Sequence, residues 1–173
     1  MSLTPKQIKF KDYPEFLPNL TPKQVIKYGA FNGQYFRPIY SSITNKNYKN
    51  QYKKYKSFDN VDINLLSNKM SDVSINKYKV KSGTSLEAWE ESGWITKTDP
   101  YGWFAWYCAF YEGRRTNDDE RQIKRWKGVM SRFKKRLINM LNKKNKKYND
   151  FTVSPKIRQL LLHWGYEIIK KDM

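Results

Sequence analysis

Asp118, Asp119 and Glu120 are three consecutive acids, and Arg114 and Arg115 stand just before them in the run GWFAWYCAFYEGRRTNDDERQIKRW (Gly102–Trp126). Carboxylates beside cations are the material of metal-assisted phosphodiester cleavage, provided two or more converge on one point. Consecutive residues of a helix fan out by about 100° each. Three in a row therefore do not converge unaided, and Asp99 or Glu112 would have to complete such a site. The same acids in a first helical turn face the positive helix end, and they can pair with Arg114, Arg115, Arg121 or Lys124. That structural use outweighs the metal site.

Other catalytic material is sparse. His163 is the only histidine and Cys108 the only cysteine. His163 lies in LLHWGY, where a histidine beside Trp164 more often packs and hydrogen-bonds than acts as a general base. Cys108, among aromatic residues, reads as a small buried thiol. One His and one Cys cannot make a conventional zinc site. No G-x-S-x-G, H-E-x-x-H or Gly-rich phosphate loop occurs. No catalytic residue, metal ligand or cofactor is therefore assigned, and the chain reads as a binder more than an enzyme.

The basic residues say more. The formal net charge is +18, with 34 Lys and Arg against 16 Asp and Glu. Such a charge favours anionic partners. A coding bias toward Lys and Asn is a rival source of the lysines. The arginines resist it, because seven of the eight fall between Arg114 and Arg158. Guanidinium forks hold phosphates or carboxylates bidentately and stack on rings. Arg121, Lys124, Arg125, Arg132, Lys135 and Arg136 lie off the apolar seam of one long helix, where few acids could neutralise them. With Arg158 and the Lys143–Lys147 run they form the expected phosphate grip. Arg114 and Arg115 either join it or hold the helix corner. In Lys46–Lys56, Tyr48, Tyr52 and Tyr55 alternate with lysines, a pattern suited to stacking on unpaired bases.

The elements that must position these groups follow from caps and periodicity. Met1–Leu20, with Pro5, Pro14 and Pro18, reads as an extended arm, followed by a single domain over 21–173. Thr21-Pro22 starts a short helix that stops at Gly29. GAFNGQYFRPIYSS suits a turn and an extended segment, with room for one hairpin. Residues 44–56 read as a solvated loop or a flexible strand, Asp59–Ser71 as weakly helical, and Val73–Val80 as a short strand. Thr84-Ser-Leu-Glu87 is a capping box. Thr98-Asp99-Pro100 starts a helix in which Trp103, Trp106, Tyr107 and Phe110 recur at helical spacing and apolar residues cover nearly every side. Thr116–Lys143 is the longest helix, with a heptad seam of Ile123, Trp126, Met130, Phe133, Leu137 and Met140. Ser154-Pro155 starts a last helix carrying Ile157, Leu160, Leu161, Trp164 and Ile168. The expected fold is mainly α. It is a compact aromatic-rich bundle of about four to five helices, with its core in 84–170 and an irregular N-terminal half.

The motifs DP-x-GWF-x-WY, GRR, DD-x-RQI-x-RW and RQ-x-LLHW-x-Y resemble those of a small family of uncharacterised proteins of similar size. TPKQVIKYGAFNGQYFRPI is similar to the start of its members, and the likeness is weakest across 45–81. The resemblance implies one shared fold and supplies no activity and no site residues.

Met1–Lys11 lacks the apolar stretch of a signal peptide, and no apolar run approaches the roughly 18 residues that span a membrane. An intracellular protein with no membrane partner is expected. The function that composition and charge favour is nucleic-acid binding, to DNA or RNA, through the phosphate backbone and largely without sequence specificity. One alternative is a structural or assembly protein that binds acidic protein partners. Another is a metal-dependent nuclease built on Asp118 and Asp119.

Overall fold

A helix that is apolar on every side has to be enclosed, and α4 (Trp103–Tyr111) is. In the computed structural model, which describes residues 8–81 and 86–173, Trp103, Phe104, Ala105, Trp106, Tyr107, Cys108 and Phe110 of this helix are all buried. The helix begins after the expected Asp99-Pro100, because Asp99–Gly102 forms a turn and Gly102 takes φ 101°. A side chain at Gly102 would be strained by that φ, and its Cβ would lie 2.9 Å from Ile95. Gly102 has no side chain to cap the helix. The Tyr35 hydroxyl does so instead, accepting from Ala105 N at 2.9 Å while donating to Tyr101 O at 2.7 Å. The Tyr101 hydroxyl donates to Arg37 O at 2.7 Å, which fastens the QYFR segment to the start of α4.

The chain is mainly helical, with a single two-stranded sheet among the described residues and many short 3₁₀ turns. Helix α1 (Pro22–Lys27) opens on a capping box in which Thr21 accepts from Gln24 N and Gln24 accepts from Thr21 N. Strands β1 (Ile39–Ser41) and β2 (Lys46–Tyr48) form an antiparallel hairpin, with Ile39 opposite Tyr48. The second strand thus comes from the Lys/Asn/Tyr stretch expected as a solvated loop or a flexible strand, and Tyr55 of that stretch is buried against Phe36 and Phe58. Helix α2 (Ile63–Leu66) is a single turn. The expected strand at Val73–Val80 is instead a 3₁₀ turn at Val73–Ile75 and irregular chain. Its backbone presses on Gly29, where a Cβ would meet Ile75 O at 2.0 Å. Helix α3 (Leu86–Glu91) follows; Thr84 and Ser85 of the expected capping box lie outside the described residues.

The long helix runs as α5 (Asp119–Val129), one π turn (Met130–Lys134) and α6 (Lys135–Lys143). Its inward residues are Ile123, Trp126, Leu137 and Leu141, so the seam closes on Leu141 and leaves Met140 half-buried. Helix α7 (Pro155–His163) is shorter than expected, ending before Gly165 at φ 72°; Ile168 is buried beyond it. The described part of the expected N-terminal arm is no free arm. Phe16 and Leu20 are fully buried, and the Phe16 ring packs against Trp103, Trp106, Tyr107, Phe110 and Trp126. Among the described residues, no helix is long and apolar enough to cross a membrane.

Candidate nucleic-acid interface

Two of the three acids, Asp118 and Asp119, serve the helix corner. Asp119, 1% exposed, accepts from Trp106 Nε1 at 2.8 Å and from Thr116 N at 2.8 Å and Thr116 Oγ1 at 3.2 Å. One carboxylate thus closes the turn that leads into α5 and satisfies the most deeply buried indole of α4. Asp118 takes the Arg121 fork at 2.6 and 3.1 Å. Asp99, 3% exposed, takes both terminal nitrogens of Arg114 at 2.9 and 2.7 Å. Burial raises the Asp99 pKa, against the pull of Arg114. These carboxylates point to separate partners, and among the described residues no three His, Cys, Asp or Glu gather where one ion could sit. The arrangement supplies no converging pair for a nuclease metal on Asp118 and Asp119.

The expected phosphate grip divides in two. Arg115 bonds Asp12 at 2.7 Å, donates to Phe110 O at 2.8 Å, and covers the Phe110 ring at 3.7 Å. Arg158 is 3% exposed and donates to the carbonyls of Val153, Tyr148 and Asp150 at 3.0, 2.9 and 3.0 Å. It ties the turn between α6 and α7 and is not available to a phosphate, contrary to its place in the sequence-derived set. Arg114 and Arg121 are likewise matched to carboxylates within the chain. The expected outward grip therefore fails for Arg121 and Arg158, whereas Arg114 and Arg115 take the other use left open for them, at the helix corner, on Asp99 and Asp12 in place of Asp118 and Asp119.

The other cations differ. Lys124, Lys135 and Arg136 are exposed and have no hydrogen-bond or ion-pair partner among the described residues. Arg132 is exposed, with its guanidinium 5.2 Å from the adjacent Phe133 ring. Lys143, Lys144, Lys146 and Lys147 are exposed beyond them. No acid occurs between Glu120 and Asp150, so this half of the rod holds no carboxylate of its own to answer these charges. Lys127 reaches Glu15 only at 3.8 Å, and Lys134 is held by Asp172 at 3.0 Å.

Arg125 belongs to neither class. It is half-buried, and its Nη1 donates to Trp94 O at 3.2 Å and Gln122 Oε1 at 2.9 Å. Burial, and then the like charge of Arg121, push its pKa down to about 10, so it stays charged at neutral pH. Sequence reasoning missed Trp94, whose ring lies beside it; the only signal was a Trp directly after the helix-ending Gly93.

The remaining candidates are structural. His163 stacks on Phe31 at 4.1 Å, and its Nε2 lies 2.8 Å from Gln159 Nε2 and 3.4 Å from Phe31 N. Burial lowers its pKa to about 3, so the ring is neutral. Cys108 is fully buried, and burial raises its thiol pKa well above the usual value. Tyr48 and Tyr52 are half-buried and Tyr55 is buried, so the Lys46–Lys56 rings do not stand free for bases as their alternation with lysine suggests. No protein-family model, no curated protein and no solved structure matches this chain, so the motif resemblance gains no support from comparison.

Proposed function

We propose that this chain binds nucleic acid through phosphates, using the solvent-facing cations of the α5–α6 rod. This reading takes the helices from α4 to α7 as one aromatic-cored bundle that carries the rod on its flank. The observation that supports it is the unanswered charge of Lys124, Arg132, Lys135 and Arg136, continued by the exposed lysines after Lys143, in a stretch without acids. Cations held by their own chain gain little from a phosphate. Unpaired ones release counterions from the polymer when they bind. The reading assigns these cations to phosphates, which carry no sequence information directly, so the binding is taken as general.

A salt-titrated gel shift with mixed-sequence DNA and RNA tests the proposal. Binding at low salt is expected, with log K falling linearly in log salt at about −0.9 per phosphate contact on duplex DNA. No binding at low salt, or binding indifferent to ionic strength, overturns it. Polyglutamate that competes as well as DNA at equal charge would move the reading to acidic protein partners.

A further inference from the structure

Trp94 is 48% exposed, one of the few large rings left in water. It follows Gly93 in the turn after α3, and the Arg125 guanidinium carbon lies over its ring at 5.9 Å from the centroid. The same carbon is 5.5 Å from the centroid of Trp164. Trp164 in turn packs on buried Trp103 at 4.5 Å, and its carbonyl accepts from Trp126 Nε1 at 3.0 Å. A ladder of ring, ring, cation and ring thus runs from the core to the surface, and its outermost member meets solvent.

The cation in this ladder is incompletely used. Arg125 spends only Nη1, on Trp94 O and Gln122 Oε1. Nε and Nη2, the edge of the guanidinium that forms a side-on fork, have no hydrogen-bond partner among the described residues. No carboxylate bonds Arg125, since the nearby Asp118 is taken by Arg121. A half-buried guanidinium with an open fork, fixed in place by a carbonyl and an amide, suits an oxyanion with two free oxygens. An exposed indole beside it suits a flat aromatic group, because every base has a π face and stacking needs no hydrogen-bond code. A phosphate and a base at that spacing occur together in an unpaired strand, and in a duplex the base is already stacked on its neighbours.

From these features we infer that Trp94 and Arg125 form a stacking site for unpaired nucleic acid, in which a base lies on Trp94 and its phosphate takes the free Nε–Nη2 fork. The inference rests on the proposed function and adds to it: the rod supplies affinity for any phosphate backbone, and this corner supplies preference for single strands.

The test is fluorescence anisotropy at one fixed low salt, with a labelled single-stranded oligonucleotide and the duplex of the same sequence. Trp94→Ala, Trp94→Leu and Trp94→Phe are compared with the unaltered chain, and thermal melting confirms that each folds. Trp94→Ala and Trp94→Leu are expected to weaken single-strand binding by about 5- to 100-fold and to change duplex binding by less than about twofold. Trp94→Phe, which keeps a ring, should recover most of the loss. Arg125→Lys, which keeps the charge and removes the fork, should weaken single-strand binding alone. Equal losses on both probes, no loss on either, or a Leu variant as good as Phe overturns the stacking site while leaving the rod proposal intact. Failure of both probes to bind the unaltered chain overturns the rod proposal, and this inference with it. Displacement of the strand by micromolar AMP would show a pocket for a free nucleotide in place of a strand site, and also overturns it.

Discussion

The arginines around the α4–α5 corner and those of the distal rod are the same side chain put to opposite uses. Arg114, Arg115 and Arg121 each close on a carboxylate of their own chain, Asp99, Asp12 and Asp118. Arg132 and Arg136, on the same rod, are exposed and meet no carboxylate. The difference lies in what surrounds them. Acids crowd the corner, and the chain from Arg121 to Asn149 contains none. A cluster of basic residues therefore says little about partners until its internal acids have been subtracted. What is left over here is a smaller, more lysine-rich set than the sequence suggests.

Substitutions on each side of this divide should separate cleanly. Arg158→Met gives the largest effect. It strands three carbonyl oxygens in the turn before α7, and a loss on the order of 2–4 kcal/mol in denaturant unfolding is expected. The salt slope of binding by the protein that remains folded should not change. A lower slope with unaltered stability would return Arg158 to the outward set.

Acidification probes the core that the inward arginines frame. His163 has a folded pKa of about 3, against about 6.5 when unfolded. The unfolded chain therefore takes up the proton first. This contribution to stability is fully present above pH 6.5 and is lost as pH falls from there toward 3. By pH 5.5 about 1.4 kcal/mol of it has been lost. Unfolding curves of the unaltered chain and His163→Gln should differ by that dependence, and parallel curves would contradict the neutral ring. The smallest change in stability belongs to Arg136→Ala, within about 0.5 kcal/mol. That variant should lower the salt slope of binding by about 1, and an unchanged slope would remove Arg136 from the interface.

Local rules made much of the fold legible. Thr21 caps the short helix it was expected to start, and the rings of α4 before Tyr111 are buried as their pattern requires. The start of α4 was misplaced because its cap is Tyr35, far away in the chain, and no local rule reaches that far. Phe16 was read as part of an arm because proline-broken polar sequence hides three rings, Phe10, Tyr13 and Phe16, of which Phe16 fills a gap among five rings of α4 and α5. The candidate site was less legible. Arg114 and Asp99 are 15 residues apart and Arg115 and Asp12 are 103 apart, so neither pairing could be read from helical spacing. Arg158 looked cationic and surface-bound, whereas its nearest acceptors are backbone carbonyls, which leave no mark on composition.

The π turn at Met130–Lys134 has a consequence for where the rod's charges point. Lys135 N reaches back to Met130 O, five residues away, so this turn holds one residue more than its neighbours. Every residue beyond it is set back around the axis by roughly the 100° that one residue subtends. In an unbroken α-helix, Arg136 and Lys143 would sit about 100° or more around from Lys124. With the extra residue absorbed, Arg136 and Lys143 come round to within a few tens of degrees of Lys124 while Lys135 turns roughly 80° away, so a single inserted residue decides which of the rod's cations share a line with Lys124.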